Sequence, residues 1–428
     1  MKVLLTGATG LVGSAILAAL ASEGHEVVAI AHGQPPPAGL GAVQWVRVEL
    51  ARQDVESWLP LLDGVDAVVN CAGVLQDSSR DSTEAVHAKG PAALFEACVR
   101  KGVRRIIHFS AIGVDRGGLT PFSASKLAGD EKLMAMDIDW VILRPSVIVG
   151  GPVYGASALF RGLAALPILP AMPDTGPLQV VQLDDVTRTV LFFLRDNAPT
   201  RLALEVAGPQ KLSFTEVVLL YRRWLGWRAP YVVRLPSWAS TAAYRTGDLI
   251  AWLGWRPPIR STARREISRG AVGDPSHWMQ LTNISPRTLE ASLLAEPASV
   301  QQRWFAMLYL LKPLVLGIFA LFWLVTGIIS VGPGYVTGVA YLNAGGITEW
   351  AGLSVIAGGL ADILIGFGIA IRRTARIALY AALLVTAFYF VAGTLVLPSL
   401  WADPLGPMLK VWPILALNLV ALAILEDR

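Results

Sequence analysis

The stretch Thr6-Gly7-Ala8-Thr9-Gly10-Leu11-Val12-Gly13 decides the fold of the first part of the chain. It follows a short apolar run at residues 3–5 and opens a segment, residues 11–22, with apolar residues at helical spacing. In this context Gly7 permits a tight turn, Gly10 lets the backbone approach a pyrophosphate, and Gly13 allows close packing of helix on strand. The free N–H groups at the helix N-terminus favour phosphate charge. We therefore predict a dinucleotide site that includes Gly7, Ala8, Thr9, Gly10, Leu11, Val12 and Gly13.

Short apolar segments alternate with helical patterns along the first 150 residues. After residues 3–5, such segments recur at 27–31, 43–48, 67–70, 105–110 and 140–143. Strands that alternate with helices are typical of an α/β fold with a doubly wound parallel sheet of the Rossmann type. We predict a Rossmann core over residues 1–150, followed over residues 151–300 by the remainder of that fold and a small substrate or capping region.

The last third of the chain is much more apolar than the rest. The whole chain is 54% hydrophobic and only 16% charged, against about 25% charged in an average soluble protein. A membrane-spanning helix needs about 20 apolar residues. Candidate spans are 307–330, 352–371, 377–398 and the shorter 411–425. We therefore predict an all-α transmembrane four-helix bundle over residues 301–428, with the lipid bilayer as a partner.

The distribution of basic residues predicts the orientation. Three arginines lie in the linker at 372–376, whereas the linker at 331–351 contains neither Lys nor Arg. The positive-inside rule places the arginine linker in the cytoplasm. An even number of spans then places both termini there, and the first residues do not resemble a signal peptide. The prediction is a multi-pass protein of the cell (inner) membrane with a cytoplasmic N-terminal domain.

Residues 151–300 are rich in Trp and Arg. One interpretation is a capping domain with a Trp-rich core, and the other is a face that rests on anionic headgroups. The net charge of +4 comes without a basic run interleaved with aromatics, so nucleic acid is not predicted as a partner. Cys71 and Cys98 form no CxxC motif or Cys/His cluster, and no metal site is predicted.

The residue that contacts the adenosine ribose is expected about 20 residues after the glycine loop, at the end of the second strand. His32 lies near that position, and no Asp or Glu is beside it. A carboxylate there would select NAD(H) by its bond to the ribose hydroxyl. Its absence favours NADP(H) over NAD(H), with His32 as a contact for the 2′-phosphate.

Several further motifs carry a resemblance to a known family. They are Asn70-Cys71-Ala72-Gly73, His108-Phe109-Ser110-Ala111, the run SKLAGDE at 125–131 and the run LRPSVIVG at 143–150. With the glycine loop, they resemble the atypical and extended short-chain dehydrogenase/reductases, which include NAD-dependent epimerases and dehydratases. The nearest subgroup contains the NAD(P)H-binding accessory subunit of respiratory complex I. The last third of the chain resembles the DoxX-like membrane family.

The resemblance implies positions for the cofactor. Glu49 and Leu50 would lie by the adenine, and Pro145 beside the nicotinamide. Lys126 would bond the nicotinamide ribose. The residues implied along the adenosine and pyrophosphate path are Cys71, Ala72 and Gly73.

The expected catalytic tyrosine is missing. The family uses Tyr-x-x-x-Lys with a Ser or Thr, and this chain has Phe122-Ser123-Ala124-Ser125-Lys126. Phenylalanine has no exchangeable proton, and general acid–base help is worth about 10²–10⁴-fold in rate. Lys126 and Ser110 remain as catalytic candidates, although Ala111 occupies the next position, where the hydroxyl is expected. Ser123, Ser125 and Tyr154 are alternative proton sources that the sequence does not place.

Three functions fit these observations. The first is an NAD(P)H-dependent oxidoreductase that acts on a lipid-soluble acceptor, such as a quinone or an isoprenoid-like lipid. The second is a non-catalytic nucleotide-binding subunit of a membrane complex, and the third is an anchored reductase or epimerase of a soluble substrate. Asp362, in the middle of a predicted span, is either functional or paired with Asn418 or a backbone group inside the bundle.

Overall fold

The computed structural model describes residues 1–33, 43–77, 82–118 and 120–426. The chain forms two compact units. The first comprises Met1–Asp248 and Pro258–Ala306, and the second comprises Leu249–Pro257 and Met307–Arg428. The short segment Leu249–Pro257, which lies within the predicted capping region, thus belongs to the second unit.

The strands of the first unit are numbered in chain order. They are β1 (Lys2–Thr6), β2 (Glu26–Ala31), β3 (Val43–Arg47), β4 (Ala67–Asn70), β5 (Arg105–Phe109), β6 (Asp139–Pro145), β7 (Val147–Val149), β8 (Ile168–Ala171), β9 (Val180–Gln182), β10 (Leu202–Val206) and β11 (Tyr231–Arg234). Seven of them form one sheet in the order β10-β6-β5-β4-β1-β2-β3. All its neighbouring pairs are parallel, which confirms the predicted Rossmann-type sheet.

Helices cover the sheet and continue into the second unit. Those that begin in the first unit are α1 (Leu11–Ser22), α2 (Val55–Trp58), α3 (Gly90–Lys101), α4 (Pro121–Met134), α5 (Gly155–Ala164), α6 (Leu183–Leu194), α7 (Phe214–Trp224), α8 (Ser237–Trp252), α9 (Ser261–Arg269), α10 (Ser276–Thr282), α11 (Leu289–Ala295) and α12 (Val300–Val331). The remaining helices are α13 (Tyr335–Ala344), α14 (Ala351–Ala370), α15 (Ala375–Val396) and α16 (Val411–Ile424).

The central strands are apolar on both faces because both faces are covered. Val3 and Leu5 of β1 belong to one buried cluster, with residues of α1 and α6. Leu4 belongs to the opposite cluster, which includes Leu94 and Phe95 of α3. This arrangement explains why the strands are continuous apolar runs in the sequence and do not alternate with polar residues.

The five tryptophans that motivated a Trp-rich capping core do not form one. None of Trp224, Trp227, Trp238, Trp252 and Trp255 is buried. Trp238 is 75% exposed and Trp252 is 83% exposed. The fully buried tryptophan of this region is Trp278, whose Nε1 donates to Thr189 Oγ1 at 2.9 Å. The expectation of a core built from the five is therefore wrong.

The second unit is helical, and three of its helices are long and apolar enough to cross a membrane. These are α12, α14 and α15, with 32, 20 and 22 residues. The fourth predicted span, 411–425, forms α16 with only 14 residues, which is about 21 Å of helix and shorter than a bilayer core of about 30 Å. The linker at 331–351, for which no helix was predicted, contains α13.

Glycines bring the long helices close together. A Cβ on Gly359 of α14 would lie 3.1 Å from the carbonyl oxygen of Gly327 in α12. On Gly366 it would lie 2.7 Å from Leu324 N. On Gly368 it would lie 2.7 Å from Ala378 Cβ of α15. Small residues permit this close approach of helices in membranes.

The end of α16 lies beside the arginine linker. Lys312 Nζ donates to Leu425 O at 3.2 Å, Arg372 Nη2 donates to the same oxygen at 3.4 Å, and Arg376 pairs with Glu426. The segment Leu249–Pro257 contacts this linker too: Arg372 N donates to Leu253 O at 3.0 Å. The helix α16 therefore returns the chain to the level at which α15 begins.

Candidate nucleotide and active site

The glycine loop has the cramped geometry that its sequence predicts. Gly7 has a φ of +66°, and a Cβ there would lie 2.8 Å from the carbonyl carbon of Cys71. A Cβ on Gly13 would lie 2.1 Å from Gly7 O, so α1 packs directly on the loop. Gly10 immediately precedes α1 and provides no side-chain cap, and its N–H donates to Gly7 O at 2.9 Å. The loop thus presents the helix N-terminus beside the end of β4.

Asn70 joins the carboxyl ends of three neighbouring strands. Its Oδ1 accepts from Thr6 Oγ1 at 2.6 Å and from Ala72 N at 3.3 Å. Its Nδ2 lies 3.0 Å from His108 Nδ1. Because an amide nitrogen donates, His108 Nδ1 accepts and its Nε2 carries the proton. These bonds fix the turn through Cys71, Ala72 and Gly73, the segment expected along the cofactor path.

Asp130, in the run SKLAGDE, is a fully buried carboxylate. Its Oδ2 accepts from Ser110 Oγ at 2.9 Å and from Arg144 Nε and Nη2, each at 3.1 Å. His108 Nε2 lies 3.6 Å from its Oδ1. Burial raises the pKa of Asp130, and the bonds from Ser110 and Arg144 oppose that shift. The Ser110 hydroxyl therefore bonds a carboxylate in this structure.

Lys126 reaches the turn after β4 from helix α4. Its Nζ donates to Phe109 O at 2.8 Å and lies 3.5 Å from Ala72 O. A Cβ on Gly73 would lie 3.3 Å from this nitrogen. Burial lowers the pKa of Lys126 to about 8, although the charge of Asp130 raises it. The structure thus brings Lys126 together with Ala72 and Gly73.

Phe122 contacts a neutral histidine. Its ring meets the His87 ring edge to face, with 5.4 Å between centroids. His87 Nε2 accepts from Val74 N at 3.0 Å, and Nδ1 bonds Ser125 Oγ at 2.8 Å. Burial lowers the pKa of His87 to about 2, and nearby Lys126 adds to the shift. His87 therefore holds the loop after β4 without carrying charge.

The structure places the three alternative proton sources. Ser125 Oγ donates to Phe122 O at 2.9 Å. Ser123 Oγ donates to Glu266 Oε1 at 3.0 Å and accepts from Arg269 Nη1 at 2.7 Å. Tyr154 lies at the glycine loop, where its hydroxyl donates to Thr9 O at 3.4 Å.

The remaining predicted cofactor residues lie at the ends of β2, β3 and β6. His32 follows β2 and is exposed. Glu49 and Leu50 follow β3, where Glu49 pairs with Arg52 at 3.2 Å and Leu50 is buried. Pro145 ends β6, and its carbonyl accepts from Ile112 N at 3.1 Å. Ligands of such sheets bind at this carboxyl edge, next to the switch in strand order at β1 and β4.

Two further observations concern metal and thiol chemistry. Over the described ranges, no three His, Cys, Asp or Glu side chains come together as a metal site would require. Burial raises the pKa of both cysteine thiols, Cys71 and Cys98. Reactive cysteines are favoured by a lowered pKa, so neither has the environment of a nucleophile.

Two family models match the chain. The model of the NAD dependent epimerase/dehydratase family matches residues 3–158, and that of the DoxX-like family matches residues 320–419. An uncharacterized protein of Mycobacterium tuberculosis is 26% identical over 251 residues, which are 58% of this chain and 27% of that protein. The chain thus spans about a quarter of the length of this relative.

Other comparisons name an enzyme and a structural neighbour. A ceramide reductase of Caulobacter vibrioides is 25% identical over 238 residues, covering 55% of this chain and 74% of that enzyme. The structure of MoeE5 in complex with UDP-glucose and NAD has a TM-score of 0.53 and 19% identity, covering 73% of this chain and all of that one. This structural likeness concerns the fold.

The chain therefore combines an N-terminal NAD-binding domain of the epimerase and short-chain dehydrogenase/reductase type with a C-terminal DoxX-like domain. Both resemblances noted in the sequence are confirmed. With three apolar helices in the second unit, the DoxX-like domain makes this a membrane protein.

Proposed function

We propose that this protein is a membrane-bound NAD(P)H-dependent reductase that acts on a lipid-soluble acceptor. One observation carries the proposal: Lys126 Nζ lies 3.5 Å from Ala72 O, at the turn beside the glycine loop, in a chain that continues into apolar helices. The name of the relative from Caulobacter vibrioides, ceramide reductase, supports a lipid substrate.

The cofactor residues proposed are those predicted from the sequence, from Gly7–Gly13 to Pro145. NADP(H) is preferred over NAD(H) in this proposal because His32, after β2, is exposed, and the residues beside it in the sequence include no Asp or Glu that would select the ribose hydroxyl. Bound NADPH supplies a hydride. The side chain of Lys126 orients the nicotinamide ribose, and the glycine loop receives the pyrophosphate.

The class of hydride acceptor is inferred from the absence of the catalytic tyrosine, the usual general acid. Phe122 has no proton to give, and the Ser110 hydroxyl is engaged by Asp130 at 2.9 Å. The Lys126 ammonium, with a pKa lowered to about 8, is the positive charge that we propose for stabilising a developing oxyanion. A quinone depends less on a tyrosine acid than a simple ketone does, so quinones and related isoprenoid lipids are the proposed acceptors.

A second candidate is a non-catalytic nucleotide-binding subunit of a membrane complex. Two differences from the usual active site of the family favour it. Phe122 replaces the tyrosine, and the Ser110 hydroxyl is bonded to Asp130. In this case the nucleotide stabilises the fold, because a ligand that binds only the native state raises its stability.

The proposed orientation places the first unit and the linker at 372–376 in the cytoplasm, as a multi-pass protein of the cell membrane. Support comes from the three arginines of this linker and from α16, whose end contacts them.

The test is acceptor-dependent oxidation of NADPH by the full-length protein in detergent. Decylubiquinone and the isoprenoid aldehyde farnesal are the acceptors, and Phe122→Tyr is compared with Phe122→Leu. We expect wild-type turnover with decylubiquinone. For farnesal we expect an increase of about 10²-fold in Phe122→Tyr, because a phenol supplies the acid, and no increase in Phe122→Leu. Tight NADPH binding without turnover in any variant would instead establish the non-catalytic subunit.

A further inference from the structure

The interior of the membrane unit contains polar groups that no chemistry of the nucleotide site uses. Asp362 of α14 is 2% exposed, and its Oδ1 accepts from the hydroxyl of Tyr389 in α15 at 2.9 Å. The same hydroxyl lies 3.3 Å from Gly358 O. Asp362 is thus paired with Tyr389, a partner that the sequence analysis did not name, and not with Asn418.

Three other buried groups lack partners. Within the described part of the second unit, Trp323 Nε1, Thr386 Oγ1 and Asn418 Oδ1 have no hydrogen-bond partner. Their residues are 2%, 5% and 0% exposed. A polar group without a partner is costly in the hydrocarbon region, because no water replaces the missing bond.

Helix contacts place these groups close together in height. Gly368 lies opposite Ala378, and Gly358 lies opposite Tyr389, so α14 and α15 run antiparallel. The rise is about 1.5 Å per residue, so Thr386 and Asp362 lie within roughly 3 Å of each other when their positions are measured along the helix axes, a coordinate that we call height.

The other two groups lie somewhat nearer the arginine linker. Trp323 adjoins Leu324, which lies beside Gly366 of α14. Gly366 is about 6 Å from Asp362 along the axis of α14. Asn418 Nδ2 bonds Leu379 O, next to Ala378, at 3.2 Å. All the groups therefore fall within about 12 Å of height, on α12, α14, α15 and α16.

The unpartnered atoms define a chemistry. A carbonyl oxygen only accepts hydrogen bonds, so the Asn418 atom that faces Leu379 O is the nitrogen Nδ2. The oxygen Oδ1 of Asn418 therefore remains as an acceptor without a donor. Trp323 Nε1 only donates, and the Thr386 hydroxyl does both. A ligand group that satisfies them must offer both a donor and an acceptor, as a hydroxyl does and a bare carbonyl does not.

We infer that the interior of the membrane unit binds the hydroxyl end of a lipid-soluble molecule, through Trp323, Thr386 and Asn418 beside the Asp362–Tyr389 pair. Facing side chains in the core of a helix bundle are a common setting for such sites. Reduction of a lipid carbonyl yields this kind of group, so the site suits the reduced form. The inference goes beyond the proposed reaction, because it requires neither nucleotide nor turnover.

The experiment measures binding of farnesol and farnesal, which differ only in the oxidation state of the terminal carbon, to the full-length protein in phosphatidylcholine nanodiscs without nucleotide. We expect farnesol to bind at least about fivefold more tightly than farnesal, the effect of one added hydrogen bond. Thr386→Val keeps the shape of the side chain and removes the hydroxyl. It should weaken farnesol binding about fivefold and farnesal binding as well, because a hydroxyl donates to an aldehyde oxygen as it does to an alcohol oxygen.

Thr394→Val is the matched control on the same helix, because the Thr394 hydroxyl already bonds Phe390 O at 2.8 Å. Its farnesol affinity should equal that of the wild type. Trp323→Phe, which removes only the indole N–H donor, is a second variant and should also weaken farnesol binding. Three results would overturn the inference: equal affinity for farnesol and farnesal, equal effects of the two threonine variants, or no binding of either probe. The last result would leave water as the partner of these atoms.

Discussion

Lys126 is a cation of the nucleotide site whose titration is altered by burial. Its ammonium group is buried and donates to backbone carbonyls, chiefly Phe109 O at 2.8 Å. Desolvation penalises the charged form, which lowers the pKa of Lys126 to about 8. The group therefore carries its positive charge below about pH 8 and loses it as the pH rises through that value.

We expect kcat/KM for acceptor reduction to fall as the pH rises through about 8, because the Lys126 charge that stabilises the oxyanion is lost. The Lys126→Ala variant should not show this decrease near pH 8, and its kcat/KM at pH 7 should be about 10²-fold lower than that of the wild type. Lys89→Ala is the control, since Lys89 is exposed and pairs with Glu84 at 3.2 Å; it should keep the wild-type profile. A limb near pH 8 that persists in Lys126→Ala would assign the titration to another group.

Gly13 provides a test of the nucleotide loop. Gly13→Ala inserts a Cβ that would lie 2.1 Å from Gly7 O, so the loop must shift away from α1. We expect NADPH affinity to fall by at least tenfold, and stability to fall by about 1–3 kcal/mol from the added strain. Gly117→Ala, where nothing lies within 4 Å of the new Cβ, should change neither quantity. Calorimetric titration and thermal unfolding measure both, and unchanged affinity in Gly13→Ala would place the nucleotide elsewhere.

At the scale of elements, the sequence predicts some features and misses others for physical reasons. The buried strands could be predicted because parallel strands covered on both faces are apolar runs. The bonds of Asp130 to Ser110 and Arg144 could not, because these residues lie in α4, directly after β5 and in β6, and only the sheet order brings them together. Helix α13 was missed because a short apolar linker has no clear period at that length.

Close contacts between membrane helices can be tested at one pair of glycines. A Cβ on Gly327 of α12 would lie 2.4 Å from Gly359 O of α14, so Gly327→Leu forces the helices apart. We expect the unfolding temperature of the membrane unit in detergent to fall by about 5 °C or more. Gly317→Leu is the control on the same helix, because nothing lies within 4 Å of its Cβ. Equal unfolding temperatures for the two variants would contradict the packing of α12 on α14.

At the scale of the whole molecule, the number of crossings decides where the chain ends. The sequence predicts an even number, whereas three helices have the length to span a bilayer and α16 has 14 residues. Three crossings would place the C-terminal end opposite the first unit. The pairing of Arg376 with Glu426 joins the end of α16 to the arginine linker, and we therefore expect α16 to complete an even number of crossings although it is short. A short helix of this kind is accommodated by local thinning of the bilayer.

Labelling with a membrane-impermeant maleimide in whole cells tests this topology. In a background with Cys71→Ala and Cys98→Ala, we expect Ala402→Cys, exposed in the loop after α15, to react from outside. Thr374→Cys, exposed in the arginine linker, should react only after the cells are permeabilised, because the positive-inside rule holds this linker in the cytoplasm. A cysteine appended after the last residue should behave as Thr374→Cys does. If it reacts from outside while Thr374→Cys does not, the chain crosses three times and α16 does not span; if Thr374→Cys itself reacts in intact cells, the whole orientation is reversed.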